Sequence, residues 1–317
     1  LATATNAPGY PATAGSADLC AAVIRMLERR HGVRDLSPDA VIPSIGSKEL
    51  VALLPSLLGL GAGDVVVVPA LAYPTYAVGA RVANAETIAT DSLTAVGPAN
   101  VRLVWVNSPA NPHGRVLPPE HLAKVVAWAR ERGAAVASDE CYLDFGWDSN
   151  AVSMLHPDVC GGSHDGILAL HSLSKRSNLA GYRAAFVAGD AALVNRLLEV
   201  RKHLGLIVPA PVQVAMVAAL DDDAHVAEQR TRYASRRDAL REAFTAAGFT
   251  VDHSEAGLYL WVTRGEPGRE TVASLAELGI LTAPGDFYGA AGANHVRVAL
   301  TATDERVAAA VGRLTPG

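Results

Sequence analysis

In the segment SADLCAAVIRMLERRHG, apolar residues fall at Leu19, Val23, Ile24 and Leu27, one face of a 3.6-residue period. Ser16 stands where an N-cap belongs and a basic run ends at Gly32, so the pattern predicts an amphipathic helix. The period then changes. VIPSI (41–45) is a short apolar run that predicts a buried strand, and Gly46, Ser47, Lys48 and Glu49 turn it into a helix running through LVALLPSLLGL. The same unit recurs in VVVV (65–68), an aromatic turn at Tyr73 and a helix after Pro74. VRLVWVN is a third strand, ending in an Asn-Pro loop. Pro118 and Pro119 open a helix that closes at Gly133, and AAVAS leads into Asp139. ILALH and AAFVAG are two more strands of the same kind.

Continuous apolar runs, rather than alternating ones, mark strands covered on both faces, so this half predicts an α/β fold with a largely parallel sheet flanked by helices. Beyond Gly189 the character shifts to long helical segments at 190–203, 211–220 and 223–247. Short strands (LYLWVT, VRVAL), a helix near 269–278 and a closing helix from Asp304 follow, an α+β pattern. The expected division is a large domain over 1–221 and a smaller C-terminal one over 222–317.

Composition narrows the classes. The 317 residues are half hydrophobic, yet no apolar run is long enough to span a bilayer, so no membrane partner is expected. A formal charge of −5 gives no global pull toward nucleic acid, and small charged metabolites fit better. Three cysteines (Cys20, Cys141, Cys160) at no metal-like spacing favour neither a disulfide framework nor a metal site, and fit a reducing cytoplasm. LATATNAPGYPATAG has neither a basic n-region nor an apolar h-region, and no initiator methionine. An N-terminal segment that is processed, removed or absent is therefore expected.

In parallel α/β sheets, ligands sit outside the carboxyl ends of the strands, and there the polar punctuation falls: Asn111, Asp139 and the loop from Ser172 to Lys175. Lys175 is one of four lysines against 23 arginines, and lysine can form a Schiff base where arginine cannot. S-L-S-K alone is a weak motif, and the plainer reading of it is a solvated loop lysine. Gly46-Ser47-Lys48 between a strand and a helix suits an anion, or is an ordinary βα turn.

Taken in order, G-S-K (46–48), Tyr73, N-P-H-G (111–114), D-E-C-Y (139–142), S-L-S-K (172–175), Arg183 and VRVAL (296–300) resemble the fold-type I, class I/II aminotransferases that use pyridoxal 5'-phosphate. The resemblance runs from Tyr10 to Ala299 and implies a mostly parallel seven-stranded sheet in the large domain. By resemblance, Lys175 is the Schiff-base lysine and proton shuttle, Asp139 pairs with the pyridine nitrogen while Glu140 faces away, and Tyr142 and Asn111 donate to the phenolate oxygen. Tyr73 would stack on the ring. Backbone N–H groups of the Gly46, Ser47 and Lys48 turn, with Ser172 and Arg183, would hold the phosphate. Tyr10 would reach it from the partner subunit of a homodimer. Arg297 would grip the substrate carboxylate, with Asn111 beside it.

His113 stands where the family pattern commonly has threonine, and the family's N-terminal arm would precede Leu1. PSIGSKE, PALAYPTY, SDECYLDFGWD and APGDFYG further resemble the actinobacterial-type succinyldiaminopimelate aminotransferases of lysine biosynthesis. That implies transfer between glutamate/2-oxoglutarate and N-succinyl-LL-2,6-diaminopimelate or its oxo acid. An aminotransferase for aromatic, histidinol-phosphate or N-acetylornithine-like substrates, a β-lyase, and a non-catalytic effector-binding domain share the same motifs and stay open. The loop 205–209 and the segment 282–288 are candidates for selectivity.

Overall fold

Local chemistry sets each element, and the computed structural model describes residues 4–314. In α1 (Ala17–His31) the Ser16 hydroxyl accepts from the Leu19 N–H, and Gly32 closes the helix with φ 65°, a left-handed geometry that side chains resist. The chain continues through β1 (Val41–Ile45), α2 (Ser47–Leu57), β2 (Val65–Val68), α3 (Thr75–Val82), β3 (Glu86–Ala89) and β4 (Val101–Asn107). Next come α4 (Pro119–Glu131), β5 (Ala135–Asp139), the short α5 (Pro157–Cys160), β6 (Ile167–Ser172), the single turn α6 (Leu173–Arg176) and β7 (Ala184–Gly189). Three helices follow: α7 (Ala191–His203), α8 (Ala210–Asp221) and α9 (Ala224–Ala246). The rest is β8 (Thr250–Asp252), β9 (Tyr259–Thr263), α10 (Gly268–Glu277), β10 (Ala283–Pro284), β11 (Val296–Ala299) and α11 (Asp304–Leu314).

Seven strands form one sheet in the order β1-β7-β6-β5-β4-β2-β3. The β6-β5-β4-β2-β3 pairings are parallel, whereas β7 runs antiparallel to both β6 and β1. The runs VVVV and ILALHS are buried along their whole length, as strands covered on both faces must be. One face packs against α1, α4 and α8 through residues such as Met26, Val126 and Met216, and the other against α2, α3 and α7 through Leu54, Tyr76 and Leu197. The sheet is therefore the middle of three layers.

β3 escaped the sequence reading. Its residues ETIA are largely exposed at the sheet edge, so they carry no apolar run. The second sheet, antiparallel in the order β10-β11-β9-β8, was legible only in its two central strands, because β8 and β10 have three and two residues. It packs on α9 and α11 around Phe244, Leu260 and Val298. Tyr142 and Phe145, from the segment after β5, belong to that same cluster and so anchor the chain leaving β5 on the second sheet's core.

Candidate active site

Gly46 links β1 to α2 with φ 75°, and a Cβ there would fall on the Arg183 guanidinium. Only glycine lets the arginine lie against this turn. Glu49, in the first turn of α2, is held by Arg201, fully buried on α7, with Nη1 and Nη2 at 2.7 and 3.2 Å from its two carboxylate oxygens. Glu49 also accepts from the Ile45 N–H at 3.2 Å. This pair fixes the start of α2, where unpaired N–H groups and the positive end of the helix dipole suit an anion.

Asp139 ends β5 and is buried. Its Oδ2 accepts from the Tyr76 hydroxyl at 2.7 Å and its Oδ1 from the Cys141 N–H at 3.2 Å. Tyr76 is itself stacked on Trp105, with ring centroids 4.6 Å apart. Asn107, at the end of β4, donates to the Asp139 carbonyl at 2.8 Å and accepts from the Asn111 N–H at 2.7 Å, tying two strand ends together. Glu140 points away: its Oε1 accepts from Ser138 and from the Met154 N–H, and Oε2 lies 3.2 Å from His171 Nε2. Burial alone would raise Glu140, but His171 and the Met154 N–H together hold it below the usual carboxylate range.

Ser172 ends β6, and its hydroxyl accepts from the Ser174 N–H at 3.2 Å, capping the turn that carries Lys175. Arg183 precedes β7 with φ 54°, a left-handed conformation that costs an arginine about 1–3 kcal/mol and turns the chain back into the sheet. Arg183 Nη1 donates to the Ala180 carbonyl at 3.0 Å. From the second sheet, Arg297 on β11 donates to Asn111 Oδ1 at 2.8 Å. The Arg297 guanidinium lies 3.9 Å from the Tyr259 ring centroid and 5.1 Å from that of Tyr288, and its buried Nε has no hydrogen-bond partner among the described residues. The Tyr142 and Tyr259 hydroxyls are 3.0 Å apart.

These groups share one cavity of about 330 Å³, lined by Ser47, Lys48, Tyr73, Asn111, Asp139, Tyr142, Ser172, Lys175, Arg183 and Arg297. The structure thus brings together the scattered candidates except Gly46, which backs the cavity through Arg183, and Tyr10, which is 99% exposed and does not line it. Lys48 Nζ sits 5.6 Å from the Tyr73 ring centroid. Sequence reasoning missed Tyr76, Asn107 and Tyr259, whereas Tyr288 closes the segment 282–288 named as a candidate for selectivity. Tyr76 and Tyr259 lie inside apolar helix and strand runs and so look like core, whereas Asn107, which ends its strand four residues before Asn111, was a polar signal that could have been read.

The chemistry of the cavity is one-sided. Lys48, Lys175, Arg183 and Arg297 face a single carboxylate, Asp139, among the lining residues. Burial and the nearby Asp139 push the Cys141 thiol well above its ordinary range, which disfavours the thiolate. Burial and the Tyr259 hydroxyl likewise raise Tyr142, keeping a proton available for donation. A small phosphorylated, anionic ligand fits: the glycine cradle under Arg183 and the α2 terminus suit a phosphate, and the Arg297 guanidinium that lines the cavity suits a carboxylate.

A family model described as aminotransferase class I and II matches residues 2–314. A probable aminotransferase of Mycobacterium tuberculosis is 65% identical over 315 residues, covering 99% of this chain and 75% of the relative. The 4-dedimethylamino-4-oxo-anhydrotetracycline transaminase OxyQ of Streptomyces rimosus is 60% identical over 315 residues, covering 99% of this chain and 88% of that one. Among solved structures, the N-succinyldiaminopimelate aminotransferase of M. tuberculosis superposes with a TM-score of 0.87 at 26% identity, covering 97% of this chain and 85% of the other.

Proposed function

The chain belongs to the class I and II aminotransferases, which work with pyridoxal 5'-phosphate, and from that premise we propose that it moves an amino group between glutamate/2-oxoglutarate and a multiply anionic amino/oxo acid. The candidate substrate is N-succinyl-LL-2,6-diaminopimelate. The observation that carries this reading is the meeting of Lys175, Asp139 and Arg297 in one cation-rich cavity, an amine, an acid and a carboxylate clamp from three separate loops and strands.

When bound, the cofactor supplies an electron-withdrawing ring that takes up negative charge developing at the substrate Cα. In this proposal the first turn of α2, Ser172 and Arg183 hold its phosphate, and Tyr73 covers the ring. The Asp139 carboxylate, oriented by Tyr76, stands for the ring nitrogen, where it would keep a proton. Tyr142 and Asn111 donate to the ring oxygen. Arg297 would orient the substrate by its α-carboxylate, so that the Lys175 amine could take a proton from the substrate Cα and hand the same proton to the cofactor carbon that receives the amino group. Residues 1–221 form the cofactor-binding part and 222–317 the smaller part that brings Arg297. A homodimer in which Tyr10 reaches the partner's phosphate site belongs to the same proposal.

What supports the diaminopimelate substrate is the run of shared motifs and a relative of like fold. What supports a second reading, a bulky cyclic ketone as amino acceptor, is the 60% identity to a relative named for an oxo-anhydrotetracycline. Both are tested by incubating the protein with glutamate and a panel of acceptors and measuring 2-oxoglutarate. The lead reading expects the highest rate with N-succinyl-2-amino-6-oxopimelate and its loss in Lys175→Ala. A preference for the ring ketone selects the second reading. Pyruvate and ammonia released from β-substituted amino acids, with no acceptor present, would replace both with a lyase.

A further inference from the structure

Tyr259 lies on β9, buried within the core of the second sheet, where a phenylalanine of the same shape would fill the space equally well. Its two ends touch two different working groups. The ring face lies 3.9 Å from the Arg297 guanidinium, while Arg297 Nη1 is held by Asn111 Oδ1 at 2.8 Å. A planar cation stacked on an aromatic face and tethered at one nitrogen has its remaining donors aimed in a fixed direction. The hydroxyl end lies 3.0 Å from the Tyr142 hydroxyl, and neither oxygen has another hydrogen-bond partner among the described residues. Two hydroxyls in contact share one proton between them. If Tyr259 donates it, the Tyr142 proton is left for the cavity; if Tyr142 donates it, the Tyr259 proton is left instead, and Tyr142 has none to give.

Resting on the reading of Arg297 and Tyr142 given above, we propose that Tyr259 is a positioning residue for both. Its ring holds the carboxylate clamp, and its hydroxyl donates to Tyr142, turning the Tyr142 proton toward the ring oxygen of the cofactor. A phenylalanine keeps the first task and loses the second. A leucine loses both. Removing one donor from a chain of two weakens the remaining bond by the cooperative part of its strength, about 10–30%.

The test uses holoenzymes of the wild type and of Tyr259→Phe, Tyr259→Leu and Arg297→Leu, with two readouts. One is the dissociation constant of glutarate, a dicarboxylate with no amino group to transfer, by calorimetry. The other is the pH midpoint of the bound cofactor's visible absorbance. A donor to the ring oxygen favours the deprotonated form of the bound cofactor, so weakening it moves this midpoint up. Tyr259→Phe should bind glutarate within about twofold of wild type and raise the midpoint by about half a unit, whereas Tyr259→Leu should also weaken glutarate about tenfold. If Tyr259→Leu does not fold, Tyr259→Met, which fills the space without a π face, takes its place. An unshifted midpoint in Tyr259→Phe overturns the hydroxyl role, and unchanged glutarate affinity in the leucine variant overturns the ring role. Arg297→Leu separates these from the parent reading: if it still binds glutarate like wild type, the clamp itself is wrong.

Discussion

His31, at the end of α1, has its side chain 8% exposed, 3.9 Å from Asp144 and stacked at 6.1 Å on His171. Burial lowers it from 6.5 to about 4, and His113 in the N-P-H-G loop is lowered from 6.5 to about 4 by burial and by His253 beside it. For each, the unfolded chain binds the proton more readily. Stability is therefore full above 6.5 and falls as the pH drops toward 4, by about 2 kcal/mol per imidazole at pH 5. Thermal midpoints measured from pH 7 to pH 5 should fall, and His31→Gln should remove about half of that fall. A variant as pH-sensitive as the wild type would refute this. Glu140 and Asp144, both held below the usual carboxylate range, add their loss only at more acidic pH. At this scale, the residues legible in the sequence were those that interrupt an apolar pattern: Lys175, Asp139 and Asn111 end or follow strands. Tyr76 and Tyr259 each carry one oxygen on an otherwise apolar body, and a pattern of hydrophobicity does not register that oxygen.

Elements were legible to the extent that they are buried. α1, β4 and β6 carry their period or their apolar run in full, and their bounds fall within a residue or two of the expectation. β3, β8 and β10 failed because an exposed or two-residue strand is defined by the pairing of its backbone with a neighbour, which no side chain announces. The turn from β1 into α2 is the element on which cofactor retention is proposed to depend. Gly46→Ala places a methyl group against Arg183 and strains a φ of 75°, so the fold should survive while cofactor affinity falls at least tenfold. Equilibrium dialysis against pyridoxal phosphate measures this. Unchanged affinity would mean that Arg183 does not serve the phosphate.

On the scale of the whole molecule, the site spans both sheets: Asn111 on the loop after β4 is bonded to Arg297 on β11, and Tyr142, just beyond β5, to Tyr259 on β9. No helix among the described residues is long and apolar enough to cross a membrane. The proposed dimer predicts a mass by light scattering of twice the 32.9 kDa of one chain. Tyr10→Phe should weaken cofactor binding several-fold with the dimer intact. A fully active monomer would contradict the assembly and Tyr10's role in it. That part was legible only as a resemblance, because a residue 99% exposed in one chain makes no contact there from which its role could be read.

The antiparallel placement of β7 has a bearing on how the chain assembles. β1 is the first strand of the large sheet in the chain, yet it stands at the edge, and its sheet partner is the last, β7, with Ile45 opposite Ala184. During synthesis β1 must therefore wait for nearly the whole of the sheet to emerge before it can pair, a contact of high sequence separation and correspondingly slow closure. That closing step is also the one that lays Gly46 against Arg183. The proposed phosphate cradle thus cannot form in a fragment that ends before β7, and a cofactor bound there would stabilise the final pairing by mass action. On this account the vitamin-derived ligand would work first as a folding clasp, ahead of any turnover.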